Sequence, residues 1–173
     1  MSAEGMIADA QGIQPPSLTV EADQKFFQAE CERADVLVHG RHSGEGGTHF
    51  FERRRLILTR QIPALAPAPD NPMALLWNPA GASLDQAWDE LGFSGGSLLV
   101  VGGTDGFGLF LELGYDAFHL TRAAKAHLPG GRPVFPGVPG RTPEDLLAAQ
   151  GLKPDATRVL DASDEVTLVT WAR

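Results

Sequence analysis

Four stretches of this chain carry residue types and spacings suited to chemistry. Leu98–Val101 is an unbroken apolar run that reads as a strand buried on both faces, followed by Gly102, Gly103, Thr104 and Asp105, then by Phe107, Phe110 and Leu111 at helical spacing, with Gly114 as the expected stop. A strand, two glycines and a helix N-terminus turn backbone N–H groups and the helix dipole toward an anion, commonly a phosphate. The plain alternative is a tight strand-to-helix turn with no ligand. Val36–Val38 ends in His39, Gly40, Arg41, His42 and Ser43. Glycine permits close approach, and arginine offers a fork of donors for phosphate oxygens. An isolated Gly-Arg is nevertheless more often an ordinary exposed loop, and His42 would then be idle. Arg55–Thr59 ends in Arg60, and the Arg53–Arg55 run before it is either solvated surface or a grip on an anionic substrate. Gly44–His49 is glycine-rich but lacks the GK[ST] of a phosphate loop.

The fourth stretch offers a proton. Asp23 lies three and four residues before Phe26 and Phe27 on a helix expected from an N-cap at Thr19 to about Arg33, with Phe26, Phe27, Cys31 and Ala34 inward. A carboxylate in a first turn is satisfied by free N–H groups and the dipole. Held beside aromatic carbon, it would instead have a raised pKa and act as a proton donor or relay. Further on, Ala117–Thr121 reads as a strand with His119 and Thr121 on one face and Phe118 and Leu120 on the other.

The elements that position these residues alternate strand and helix. Residues 1–18 read as loop with a stub of strand near Met6–Ala8. Pro63, Pro67, Pro69 and Pro72 mark a stiff loop before a strand at Met73–Trp77. Ser83 to Gln86 is a capping box for a helix with Leu84, Ala87, Trp88 and Leu91 inward. Gly130–Gly137 is a turn leading to a short extended piece, and Thr142-Pro143-Glu144-Asp145 opens a helix that Gly151 ends. Thr157–Leu160 and Val166–Trp171 close the chain as a pair of strands. The expected fold class is α/β, with a mostly parallel central sheet flanked by helices and an antiparallel C-terminal end.

Composition bounds the function. The 173 residues fit one domain, residues 1–173, and 43% apolar residues supply a core. A formal charge of −8 argues against a nucleic-acid partner. The single cysteine, Cys31, excludes an internal disulfide and a cysteine metal cluster, and no metal site is expected. No apolar run reaches membrane-spanning length and the first residues do not read as a signal peptide, so a cytoplasmic protein with no membrane partner is expected.

The order of these pieces resembles the dihydrofolate reductase-like superfamily, from about Asp23 to the C-terminus. ADQKFF is similar to its catalytic helix, VLVHGRHS to its strand ending in GR-x-[ST], and LILTR to the strand whose end meets the adenosine 2′-phosphate. VVGGTDGFGLFLELGYDAFHLT followed by VFP resembles the GG-helix, the next strand and the FP turn. Within the superfamily, MSAEGMIA resembles the MSLDGxIA that begins the RibD C-terminal family, a riboflavin-pathway reductase domain, with Glu4 in place of Asp. That family has a further apolar strand before this motif. Its lack here implies either a natural start further upstream or a minimal first strand.

The resemblance implies NADPH as cofactor and a small heterocyclic substrate, here a ribosylaminopyrimidine of riboflavin biosynthesis, as in 5-amino-6-(5-phosphoribosylamino)uracil reductase. It implies that Gly40, Arg41, His42 and Ser43 cradle phosphate, with Arg41 and Arg60 near the 2′-phosphate and Thr59 bonded to that group or the ribose. Gly102, Gly103, Thr104 and Asp105 would hold the pyrophosphate, and Phe107 would pack against the nicotinamide. Asp23 would deliver the proton with Thr121 as its hydrogen-bond neighbour, and a homodimer is a family-level expectation. The chain departs from the pattern at Ser43, where threonine is commoner, and at Asp105, whose charge repels phosphate unless turned away. Gly106 and Gly108 loosen the first helical turn by about 1 kcal/mol each relative to alanine. The Pro-Trp substrate loop of true folate reductases is absent from residues 10–22. The alternatives are a dihydrofolate or pterin reductase, a catalytically inactive dinucleotide-binding domain, and last a purely structural partner-binding domain.

Overall fold

Runs of valine and leucine form strands, and capped amphipathic segments form the helices between them. The computed structural model describes residues 1–41 and 52–173. In chain order its elements are β1 (Met6–Ala8), α1 (Glu21–Arg33), β2 (Val36–Gly40), β3 (Arg54–Leu58), β4 (Leu65–Pro67), β5 (Ala74–Trp77), α2 (Leu84–Glu90) and β6 (Leu98–Gly102). There follow α3 (Thr104–Leu113), β7 (Ala117–Ala123), β8 (Arg132–Pro133), α4 (Pro143–Ala149), β9 (Lys153–Pro154), β10 (Arg158–Asp161) and β11 (Val166–Ala172). The chain divides into two compact units, Ala29–Gly106 and the combination of Met1–Gln28 with Phe107–Arg173.

The Ala29–Gly106 unit holds a five-stranded sheet in the order β4-β5-β3-β2-β6, parallel except for β4. Parallel sheets bury both faces, and Val36, Leu37, Val38, Leu56 and Trp77 are almost wholly enclosed. Trp77 satisfies its indole N–H on the Ala82 carbonyl at 2.9 Å. The capping box forms as expected: Ser83 Oγ accepts from the Gln86 N–H at 3.2 Å, and Gln86 Oε1 accepts from the Ser83 N–H at 2.8 Å. Ala87 and Leu91 are buried, while Trp88 is half-buried with its ring 5.3 Å from that of Phe93. Two expectations are corrected. The proline-rich stretch holds a strand after all, since Leu65–Pro67 pairs antiparallel with β5 at the edge, where proline is tolerated. The Leu98–Val101 run is half-buried rather than enclosed, because β6 ends the sheet order and pairs only with β2 among the described strands. The most enclosed strand is β2.

In the other unit β11 pairs antiparallel with β7, β10 and β9. Alternation along β7 places Phe118 and Leu120 in the core and leaves His119 and Thr121 half-buried on the opposite face, as the pattern required. The stub Met6–Ala8 forms and pairs with β8. Thr142 Oγ1 caps α4 by accepting from the Asp145 N–H at 3.0 Å, with Pro143 in the first helical position. The helix expected from Thr19 starts instead at Glu21, because Thr19 closes a short 3₁₀ turn, Pro16–Leu18, through its N–H bond to the Pro16 carbonyl. Phe27 is 39% exposed and does not share the inward face of Phe26. The expected class, α/β with a mostly parallel sheet and an antiparallel C-terminal set, is what the structure has.

Candidate functional site

Within the Ala29–Gly106 unit, strand register decides which residues meet. Gly40 lies opposite Leu58 on β3, and His39 lies opposite Gly102 on β6. The C-terminal ends of three adjacent parallel strands therefore deliver Gly40–Arg41, Thr59–Arg60 and Gly102–Gly103 to one end of the sheet. In α/β proteins that end is the ligand-binding one. The β2–β6 register slips between Val38 and His39, so β6 carries one extra residue just before Gly102; such bulges re-aim the chain beside functional sites. Gly102 has φ +133, a conformation that side chains disfavour, and the Gly102–Gly103 peptide is cis. Thr104 then opens α3, whose first-turn N–H groups are not used within the helix.

Hydroxyl, guanidinium and carboxylate side chains surround this row. Thr59 is 6% exposed. Its Oγ1 accepts from the Gln61 N–H at 3.1 Å, which leaves the hydroxyl proton to donate elsewhere. Arg41 is exposed. Arg60 donates through Nη2 to Asp105 Oδ2 at 2.9 Å, both side chains being largely in solvent. The Asp105 charge, expected to repel a phosphate, is thus turned to a cation. His42 and Ser43 lie outside the described residues. One glycine of α3 has a packing reason: a Cβ on Gly108 would run into Pro136, whereas one on Gly106 would make ordinary contacts with Leu58 and Val100. Sequence reasoning passed over His39, which is 2% exposed and hydrogen-bonds through Nδ1 to the Gly40 carbonyl at 2.9 Å, steadying the strand end. Its signal was the His-Gly pair closing an apolar strand.

Arg53–Arg55 lie at the opposite, N-terminal end of β3, about 13–20 Å from Thr59 at 3.3 Å per residue. Arg54 donates to the Leu91 carbonyl at 2.9 Å with its guanidinium 5.8 Å from the Phe93 ring centre, and Arg55 is buried. The structure therefore separates this cluster from the row of strand ends, contrary to the expected substrate grip.

In the other unit, Asp23 sits half-buried in the first turn of α1. Phe26, one turn later, packs edge-on against His119 of β7 with ring centres 5.1 Å apart. Thr121 is two residues from His119 on the same face of that strand. Met1 donates through its amino nitrogen to the Thr121 carbonyl at 2.7 Å. Burial pulls that amine down to about 6, and the Asp23 charge opposes the shift. The Met1 amine thus feels the Asp23 charge while bonded to the backbone of Thr121. His119 Nδ1 and Thr170 Oγ1 share a hydrogen bond at 3.0 Å; the place of His119 on the Thr121 face was the signal for it. Phe107 is half-buried in α3. Its ring packs edge-on against Phe118 and Phe135, 5.4 and 6.2 Å between centres, and its carbonyl accepts from the Tyr115 hydroxyl at 3.0 Å. These contacts join it to an aromatic cluster at the edge of the core. Burial pushes the Tyr115 phenol well above its ordinary range. Among the described residues no helix is long and apolar enough to cross a membrane.

No family model and no curated protein matches the sequence. Solved structures match it in fold. A protein assigned to riboflavin biosynthesis from Shewanella sp. PV-4 is 22% identical with a TM-score of 0.65, over 100% of this chain and 94% of that one. A dihydrofolate reductase from Enterococcus faecalis, complexed with NADP(H) and RAB-propyl, is 17% identical with a TM-score of 0.60, over 100% and 92%. A diaminohydroxyphosphoribosylaminopyrimidine deaminase/5-amino-6-(5-phosphoribosylamino)uracil reductase from Thermotoga maritima is 17% identical with a TM-score of 0.61. This chain is covered there to 99% but spans only 54% of that longer protein. The fold is dihydrofolate reductase-like.

Proposed function

We propose that the chain is an NADPH-dependent reductase of the RibD C-terminal type, a single domain over residues 1–173 that reduces a ribosylaminopyrimidine in riboflavin biosynthesis. One observation carries the reading: β3, β2 and β6 end side by side in Thr59–Arg60, Gly40–Arg41 and Gly102–Gly103, with the N-terminus of α3 directly after. The glycines leave room for a pyrophosphate against backbone N–H groups, and Thr104 and the helix dipole favour its charge. Thr59, Arg60 and Arg41 suit the adenosine ribose and its 2′-phosphate, for which arginine is the usual partner.

A reduced nicotinamide, when bound, supplies the hydride. The chain's own part is to hold and move the proton. Reduction at a C=N bond leaves a nitrogen that needs one, and the carboxyl of Asp23 is assigned to give it, with the Thr121 hydroxyl assigned to orient it. Phe27 is one turn from Asp23 on the same helix and keeps an exposed aromatic face, which suits a flat heterocycle. Phe107, half-buried beside Phe118 and Phe135, is assigned to pack against the nicotinamide.

The test is NADPH oxidation linked to substrate. Turnover of a phosphoribosylaminopyrimidine supports the reading. Turnover of dihydrofolate in its place replaces it with a pterin reductase, a reading favoured by Asp23 on α1. Cofactor binding without turnover of either leaves an inactive dinucleotide-binding domain.

A further inference from the structure

One side chain at the ends of these strands has the wrong sign for an anion site. Asp105 lies in the first turn of α3, where the helix dipole favours negative charge, and its Oδ2 takes Arg60 Nη2 at 2.9 Å. The two residues come from segments 45 positions apart. The carboxylate thus does for Arg60 and for the helix end what a phosphate oxygen would do. We propose that Asp105 is an internal competitor for the 2′-phosphate of the dinucleotide at Arg60, and so restrains the preference for the phosphorylated cofactor.

The proposal rests on the dinucleotide reading and adds a selectivity element to it. A 2′-phosphate reaching Arg60 has to displace Asp105 or accept its repulsion. A dinucleotide with a free 2′-hydroxyl meets no such cost, because a carboxylate accepts from ribose hydroxyls. The same pair therefore penalises one cofactor and is neutral or favourable to the other. Both side chains are more than four-fifths exposed, 85% for Arg60 and 82% for Asp105, so the effect is modest and sensitive to salt.

The experiment titrates NADPH and NADH against wild type and Asp105→Asn by nicotinamide fluorescence, at low and high salt. Asp89→Asn on α2, exposed in the same unit, controls for the change in net charge. The expected result at low salt is NADPH binding tightened about 3-fold in Asp105→Asn, the scale of an exposed ion pair, with NADH unchanged or weakened. The Asp89→Asn ratio should stay at the wild-type value, and the gain should shrink at high salt. A NADPH-to-NADH ratio that stays put or falls in Asp105→Asn, while wild type binds either cofactor, overturns the competitor role and leaves the reductase reading standing. Binding of neither cofactor by any of the three proteins overturns both.

Discussion

Gly106 and Gly108 are two residues apart in α3, and alanine at the two positions should move stability in opposite directions. Neither has a positive φ, so alanine fits the backbone at both and brings about 1 kcal/mol of helix propensity. The surroundings differ. A Cβ at Gly106 would stand 3.4 Å from Leu58 Cδ1 and 3.9 Å from Val100 Cγ1, ordinary contacts. A Cβ at Gly108 would stand 2.7 Å from Pro136 Cγ and 2.8 Å from Cδ, and a proline ring has no rotamer with which to withdraw. Overpacking of that kind costs about 1–3 kcal/mol. Gly106→Ala should therefore stabilise by up to about 1 kcal/mol, while Gly108→Ala should lose about 1 kcal/mol net. At about 2–4 °C per kcal/mol for a chain of this size, the variants should melt about 4–8 °C apart. Thermal unfolding followed by circular dichroism measures the gap. A Gly108→Ala midpoint equal to or above that of Gly106→Ala would refute the packing argument.

Three further perturbations separate the parts of the account. Asp23→Asn should lower turnover at least about 10-fold and leave the Kd for NADPH unchanged, because the carboxyl handles a proton and no cofactor phosphate; steady-state kinetics beside a binding titration decide this, and loss of cofactor affinity would contradict it. Arg60→Ala should weaken NADPH by about 10-fold and NADH far less, as expected for a charge-assisted contact to one phosphate; equal losses would remove Arg60 from the 2′-phosphate. Glu4 is held down to about 2, from an ordinary 4.5, by hydrogen bonds from His127, Ser2 and the Leu128 N–H. A depressed carboxylate stabilises in full above its ordinary value and loses that contribution as pH falls through the folded one. The melting difference between wild type and Glu4→Gln should thus hold steady at pH 5 to 6 and close between pH 4.5 and 2; a difference that persists at pH 2 would contradict it.

Local features were readable from the sequence because their causes are local. The glycine pair before a helix, the Ser83–Gln86 capping box, the Thr142 cap and the alternation of His119 and Thr121 against Phe118 and Leu120 all follow from neighbours a few residues away. What escaped depends on distant partners. An apolar run such as Leu98–Val101 announces a strand but not how many strands flank it, and β6 has β2 alone among the described strands. Leu65–Pro67 hid among prolines because edge pairing with β5 asks little of its residues. The Asp105 charge looked inconsistent with an anion site until Arg60 turned out to hold it. Gly106 and Gly108 looked alike as weaknesses of a helix, yet only Gly108 has its reason in a distant partner, the Pro136 ring. The resemblance put Phe107 against a cofactor, and no local pattern showed that its ring meets Phe118 and Phe135 edge-on. Arg53–Arg55 matched an anion grip by charge, and strand direction alone puts them at the wrong end of the sheet.

The central claim is that the ends of β2, β3 and β6 bind a phosphorylated nicotinamide dinucleotide. A side-by-side titration of the purified chain with NADPH and NADH, read by nicotinamide fluorescence, tests it most directly. The account predicts saturable binding with NADPH tighter than NADH, by a margin that Arg60→Ala abolishes. Equal affinities would strip Arg41, Thr59 and Arg60 of their 2′-phosphate roles, and failure to bind either cofactor would contradict the claim itself.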